Sequence, residues 1–370
     1  MEGVWSEADD LGPAKVMHVH HPALGLKATL VVDNVAAGPS IGGLRIATDV
    51  TTLECMRLAR AMTLKNAAAG LAHGGGKSVM YADPRMPAAH KEALIRAFAH
   101  ALRSEVDYIF GPDMGTDEKC MGWVKDEIGR AVGLPRELGG IPLDELGATG
   151  WGLRHAVEGA LEHCAFELRG ARVAIQGYGA VGMHAARFLC RDGAVLVAAS
   201  DTRGTVIDPE GLEPDRLAAC KQAGGSVIDY PRGRRLGPDA IIDVECEIWV
   251  PAARPDVLHA GNAARLRAKL VPQGANIPCT PEAEAQLHQR GVIVIPDFIA
   301  NAGGVICAAM EYHGATESAA FEAIAEKVRA NTATVLANAA KHHRLPREAA
   351  MTLATERVRR AMSMRQWSIF

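Results

Sequence analysis

One segment limits the possible folds more than any other. Arg172-Val-Ala-Ile-Gln176 reads as a buried strand, runs into Gly177-Tyr178-Gly179-Ala180-Val181-Gly182, and continues as a helix through residues 183–189. A Gly-x-Gly-x-x-Gly between strand and helix is the phosphate-binding turn of a dinucleotide fold. Gly177 permits the tight turn, Gly179 lets a pyrophosphate reach the backbone, and Gly182 lets helix pack on strand. Ala180 and Val181 then open a helix whose unpaired N–H groups and positive dipole end face the phosphates. A second strand over 194–199 ends at Ser200-Asp201, 19 residues past Gly182. A carboxylate at that spacing accepts hydrogen bonds from ribose hydroxyls and repels a 2′-phosphate, which favours NAD. Arg203 keeps NADP open, because a guanidinium can hold the extra phosphate.

The chain has 370 residues, enough for about two domains. Its formal net charge of -3 argues against a nucleic-acid partner, which usually calls for a basic excess. No apolar run approaches the roughly 18 residues of a membrane span. The acidic residues 1–10 lack the basic and apolar regions of a signal peptide. The eight cysteines show no Cys-x-x-Cys pair, so free thiols and a cytoplasmic location are expected. His18, His20 and His21 precede Pro22 without acidic or cysteine neighbours. An exposed turn is the expectation there, and no metal is expected in the chain.

Ahead of the dinucleotide motif, strands are expected at 26–33, 79–81 and 108–110. Thr51-x-x-Glu54 reads as a capping box opening a helix, and 91–102 as another helix. Residues 38–43 and 74–76 read as glycine-rich turns. Residues 133–148 hold six Gly or Pro and form the expected linker. Helices are expected at 151–164, 319–340 and 346–362. The fold class is α/β with two domains and a cleft between them. An N-terminal α/β substrate and catalytic domain spans 1–135, joined by C-terminal helices from about 330 to 370. A Rossmann-type dinucleotide-binding domain spans 146–330.

In the first domain, Lys65 and Lys77 stand twelve residues apart, and Lys77 closes the run Gly74-Gly75-Gly76. Glycines without a Cβ let backbone and side chains approach a small substrate closely. A lysine there is a cation for an anionic ligand or, if desolvated, a group with a lowered pKa.

Leu71-x-x-Gly74-Gly75-Gly76-Lys77-x-Val79-x-x-x-Asp83-Pro84 resembles the active-site signature of the glutamate/leucine/phenylalanine/valine dehydrogenase superfamily. Gly42-Gly43-Leu44-Arg45, Lys65, Pro112-Asp113-Met114-Gly115-Thr116, Thr149-Gly150, the nucleotide turn, Pro251-Ala252-Ala253, Gly274-Ala275-Asn276 and Asn301-Ala302-Gly303-Gly304 follow in the family's order. The resemblance implies that Lys65 binds the substrate α-carboxylate beside Gly43. It implies that Lys77 polarises the carbonyl and activates water, and that Asp113 shuttles protons to and from nitrogen and water. Thr149 would contact the nicotinamide amide, Ala252 would line the cofactor site, and Asn276 would lie near the nicotinamide ribose.

Glutamate-specific members carry a lysine before Gly-Gly-x-Arg and a serine seven residues after the Asn of Asn-Ala-Gly-Gly. Here Ile41 and Ala308 stand in those places. The expectation is an apolar pocket of Ile41, Met62, Gly111, Val305 and Ala308, for a leucine-, valine- or phenylalanine-type substrate. The C-terminal half is closer to glutamate-type members, through Pro251-Ala252-Ala253 and Gly274–Glu282. A glutamate dehydrogenase with other side-chain anchors is therefore the first alternative, and a catalytically silent NAD-binding regulator the second. The implied partners are an amino acid, its 2-oxo acid and ammonia, within a homo-oligomer.

Overall fold

The computed structural model describes residues 8–370. Two compact units emerge. One comprises the chain up to Pro142 with Val305–Ala320 and Met351–Phe370; the other comprises Leu143–Gly304 and Phe321–Ala350. The first boundary falls inside the expected linker. At the C-terminus the units divide differently from the expected 330–370 segment. Residues 305–320 pack with the first unit, and 321–350 with the second. Tertiary anchors explain the latter: Trp151 Nε1 donates to the Phe321 carbonyl at 2.9 Å, and Arg347 forks onto Glu284 and Asp297.

The first unit contains β1 (Lys15–His21), β2 (Leu26–Asn34), β3 (Ser40–Ala47), α1 (Thr52–Ala68), β4 (Gly74–Tyr81), α2 (Ala88–Ala101), β5 (Tyr108–Pro112) and α3 (Glu118–Ile128). Its sheet runs β1-β2-β4-β3-β5. β3 lies parallel to both β4 and β5, while β1, β2 and β4 pair antiparallel. Alternate residues of β2 bury opposite faces, as the two-residue period of a strand requires. Leu30 and Val32 join Leu44, Met80, Phe98 and Met121 on one side. Val31 joins Val79 and Cys55, Met56 and Ala59 of α1 on the other. Thr51 caps α1 by accepting from Glu54 N at 3.0 Å. His20 and His21 are exposed at the end of β1, and no group of three metal-ligating side chains occurs among the described residues.

Two segments expected as glycine-rich turns are strands. Gly42 and Gly43 lie in β3, and Gly74–Gly76 open β4. Their lack of side chains serves close packing. A methyl group on Gly42 would sit 1.8 Å from the Gly76 carbonyl oxygen, and one on Gly75 would sit 1.9 Å from Thr63 N of α1. Composition alone reads such runs as loops; the tertiary contact makes them strand.

The linker is tied rather than loose. Glu311, buried, accepts from Leu134 N at 3.1 Å and Ile141 N at 2.8 Å, through one carboxylate oxygen each.

The second unit begins with α4 (Leu143–Leu146) and α5 (Ala148–Ala160). It continues through β6 (Arg172–Gln176), α6 (Ala180–Arg191), β7 (Val195–Asp201), β8 (Gly204–Ile207), α7 (Pro214–Gln222), β9 (Arg234–Leu236), β10 (Ile248–Pro251), β11 (Leu270–Pro272), α8 (Pro281–Gln289), β12 (Ile293–Ile295) and α9 (Asp297–Ala300). Three further helices follow along the chain: α10 (Gly303–Tyr312), α11 (Glu317–His342) and α12 (Pro346–Met362). The sheet order is β12-β11-β10-β6-β7-β8-β9, parallel from β12 to β7 and antiparallel thereafter. β6 therefore has neighbours reached by connections in opposite directions. The crevice at the carboxyl ends of such strands is where ligands bind in open α/β sheets. No described helix is long and apolar enough to cross a membrane.

The close approach of α1 to β4 sets a stability prediction. Gly75→Ala forces α1 off the strand, because the added carbon meets backbone that cannot rotate away. Urea unfolding should show a loss of about 2 kcal/mol or more, the usual scale of overpacking. An unchanged midpoint would refute the packing account.

Candidate active site

Backbone proximity builds the catalytic cluster. In register, β3 Gly43 lies beside Gly111 of β5, and Leu44 beside Ser78 of β4. Lys77 from β4 and Asp113 from the end of β5 meet across β3, where they form an ion pair. Gly43 is the space they occupy. A methyl group there would sit 2.8 Å from Asp113 Cβ and 3.2 Å from Lys77 Nζ. Lys77 is buried, at 6% exposure, and Asp113 is half-buried.

Asp113 is held from several sides. Its Oδ1 accepts from Met114 N at 2.7 Å and faces Arg45 Nη2 at 3.5 Å. Its own N–H donates to Thr116 Oγ1 at 2.9 Å, and that hydroxyl bonds the Leu44 carbonyl at 2.8 Å. Burial pushes the Asp113 carboxyl up, but Lys77, the Met114 N–H and Arg45 outweigh burial and hold it below the ordinary carboxylate range. The cluster can therefore present a carboxylate and an ammonium to one small polar ligand. Lys65 sits half-buried in the last turn of α1, the helix packed along β4.

Ile41 and Ala308 come together. Ile41 is 4% exposed and clusters with Ile109, Val132 and Ala309, with Leu71, Ala308 and Tyr312 packed against them. Gly111 borders this cluster, since a methyl group on it would lie 3.5 Å from Val132 Cγ2. Met62 and Val305 are half-buried and stand outside that group.

Sequence reading missed a histidine pair beside the cluster. His73 Nδ1 lies 2.9 Å from the Pro39 carbonyl, and its Nε2 lies 3.0 Å from His313 Nε2. A carbonyl only accepts, so His73 carries its proton on Nδ1, and His313 Nε2–H donates to His73 Nε2. Burial lowers the His73 pKa and favours this neutral form. The pair ties the end of α10 to the start of β4. Nothing in the local sequence links residues 240 apart.

The dinucleotide turn in the second unit has the geometry its glycines imply. Gly177 has φ +92°, a conformation open to glycine but strained for other residues. A methyl group on Gly182 would sit 2.0 Å from the Gly177 carbonyl oxygen. Gly179 caps α6 and has nothing within 4 Å of where its Cβ would be. That open cradle borders a groove of about 890 Å³ lined by Gly177, Gly179, Asp201, Ala252 and Asn262 among others. The Gln176 side-chain oxygen, also lining it, is buried without a partner. An empty cradle and an orphaned acceptor fit a bound dinucleotide. Ala180 is exposed and Val181 half-buried at the helix start.

Thr149, Asn276 and Asn301 also gather in this unit. Asn301 Nδ2 donates to Asn276 Oδ1 at 3.0 Å. A methyl group on Gly304 would lie 3.4 Å from Thr149 Oγ1.

Asp201 ends β7, as the spacing implies, but its carboxylate is engaged. Oδ1 accepts from Ser226 Oγ at 2.7 Å and Arg203 N at 2.9 Å. Oδ2 accepts from Lys221 Nζ at 2.7 Å and Val227 N at 3.1 Å. Burial raises its pKa, and these four donors outweigh that, lowering it to about 2. Lys221 and Ser226 were not legible as partners, since no motif marks them.

Two predictions follow from this turn and its carboxylate. Gly179→Ala should leave the unfolding midpoint unchanged, because its Cβ enters open space, while weakening NAD binding measured by calorimetry at least tenfold. A folded-state pKa below the usual 3.8 stabilises the fold fully above that pH and is lost as pH falls toward 2. The stability gap between wild type and Asp201→Asn should therefore be constant near neutrality and close between pH 3.8 and 2 in acid-unfolding curves. A gap that persisted at pH 2 would rule out the ionised carboxylate as its source.

Residues 139–366 match the Glutamate/Leucine/Phenylalanine/Valine dehydrogenase family, and residues 13–130 match the Glu/Leu/Phe/Val dehydrogenase dimerisation domain. A glutamate dehydrogenase of Aeropyrum pernix is 38% identical, covering 90% of this chain and 85% of the relative. An NADP-specific glutamate dehydrogenase of Saccharolobus shibatae is 35% identical, covering 90% and 83%. The solved hetero-hexameric glutamate dehydrogenase of Thermus thermophilus, in a leucine-bound form, superposes with a TM-score of 0.82 at 30% identity, covering 95% of this chain and 90% of that one. A match over more than half the chain, with relatives of this identity and coverage, makes the chain a member of the glutamate/leucine/phenylalanine/valine dehydrogenase family.

Proposed function

We propose that this chain is an NAD(P)-dependent L-amino-acid dehydrogenase that converts an apolar L-amino acid reversibly to its 2-oxo acid and ammonia. The observation that carries the chemistry is the Lys77–Asp113 pair seated over Gly43. The cofactor class is that of the family, and NAD(P) supplies the acceptor for the substrate hydride when bound.

The residues divide the work. Lys65 holds the substrate carboxylate as a cation. Asp113, ionised because Lys77 and Arg45 oppose its burial, takes the proton that the substrate ammonium must lose and releases it to solvent, which restores the carboxylate for the next step. Once the imino acid has formed, Lys77 polarises the carbon that water attacks, and Asp113 takes the water proton. The proton then returns to the departing nitrogen. Thr116 fixes the Asp113 backbone, and the Met114 N–H fixes the carboxylate, through these transfers. Thr149, Ala252 and Asn276 are read as cofactor contacts, with Gly177, Gly179, Ala180, Val181 and Gly182 around the pyrophosphate. Residues 13–130 match a dimerisation domain, and the chain is read as a homo-oligomer.

The apolar preference rests on the Ile41 cluster. A γ-carboxylate placed against Ile41, Ile109, Val132 and Ala308 would be desolvated with no partner there, a cost of several kcal/mol. Glutamate is the second reading, and the names of the relatives favour it over the first. It needs an anchor other than residue 41. Tyr312 packs against the cluster, and its ring contacts those of His73 and His313. A silent regulatory role is opposed by the assembled Lys77–Asp113 pair.

A panel of leucine, valine, phenylalanine and glutamate, each with NAD and NADP, separates the readings. Reduction should be fastest with an apolar substrate. Turnover of glutamate alone would transfer the assignment to the second reading. Lys77→Ala should lower kcat by about 10²-fold or more, the scale of a lost acid–base group. Undiminished turnover would remove Lys77 from the chemistry.

A further inference from the structure

The surroundings of Asp201 carry a conclusion that its position in the sequence does not. A bare carboxylate at the end of this strand takes ribose hydroxyls and repels a 2′-phosphate. Asp201 is not bare. An ionised carboxylate has about four acceptor positions, and four donors of the protein itself already occupy them. A ribose diol would have to displace one. The charge is also balanced, because Lys221 Nζ lies 2.7 Å from Oδ2. Lys221 lines the same groove as Gly179 and Asp201, so its ammonium stands where a ligand on the turn would pass. One of its three N–H donors is spent on Asp201, and two remain for a ligand. The Arg203 side chain, 56% exposed, adds a second cation, engaged by Asp229 at 3.1 Å.

We infer that Lys221 is a coenzyme-specificity residue: paired with Asp201, it cancels the repulsion of a 2′-phosphate and supplies donors to it, so that the groove accepts NADP as well as NAD. The inference deepens the proposed function and rests on its dinucleotide reading. In this arrangement Asp201 is a positioning residue. It aims the Lys221 ammonium and, through Ser226 and Val227, holds the loop after α7. The arrangement reverses the expectation drawn from Asp201 alone, that the carboxylate selects NAD.

The test is calorimetric binding of 2′,5′-ADP and 5′-AMP to the full chain, a pair that differs only in the 2′-phosphate. No turnover is involved. The wild-type chain should bind 2′,5′-ADP at least as tightly as 5′-AMP. Lys221→Met should weaken 2′,5′-ADP about tenfold or more, as expected for loss of a charge-assisted bond, and leave 5′-AMP unchanged or tighter. Lys221→Arg should retain 2′,5′-ADP binding. A wild-type chain that binds 5′-AMP but rejects 2′,5′-ADP overturns the inference alone, and that comparison holds even if Lys221→Met fails to fold. Equal weakening of both ligands by Lys221→Met also overturns it, because a strut of the loop would act on both. Binding of neither ligand by the wild-type chain overturns the dinucleotide reading and the inference together.

Discussion

Close contact between backbones without side chains is the constraint on which both sites depend. In the first unit, Gly42 of β3 runs so near Gly76 of β4, and Gly43 so near Pro112 and Asp113 at the end of β5, that a Cβ on either would overlap its neighbour. That approach lets a lysine from one flanking strand reach an aspartate from the other. The second unit uses the same economy differently. Gly182 brings α6 onto β6, and Gly179 leaves a space that the protein itself does not fill. Glycine here serves contact in one place and vacancy in another. The proposed reaction draws on both, a tight ion pair and an open phosphate cradle.

Charge is arranged to keep key groups ionised. Asp113 is half-buried, a setting that favours the neutral acid, yet three positive or donor groups keep it a carboxylate. Asp201 is held lower still, by a lysine, a hydroxyl and two backbone N–H groups. Desolvation disfavours the charged form in each case, and specific partners reverse it. His73 is the contrast, since burial there lowers the pKa and favours the neutral ring.

Much of the candidate site was legible in the sequence because it lies in local motifs. The strand, turn and helix around Gly177 could be read directly, as could Lys77, Asp113 and the Thr51 cap of α1. The glycine runs at 42–43 and 74–76 were misread as turns, since their packing partners, Thr63, Ser40 and Tyr108, are remote or separately encoded. Arg45 and Thr116 lay within quoted motifs, yet their grip on Asp113 needed the register of β3 and β5. Lys221, Ser226, His73 and His313 had no signal, because each matters only through a partner distant in sequence.

The sequence by itself determined the family and the α/β class, and it marked Lys77 and Asp113 as the candidate reacting groups, because fixed spacings of glycine, lysine and aspartate carry the family's motifs. Tertiary structure decided the rest: that the glycine runs are strands, that Ile41 and Ala308 share one apolar cluster, and that Asp201 is already paired. These are facts about which groups become neighbours and which charges are cancelled, and neighbours from separate elements exist only once the chain has packed.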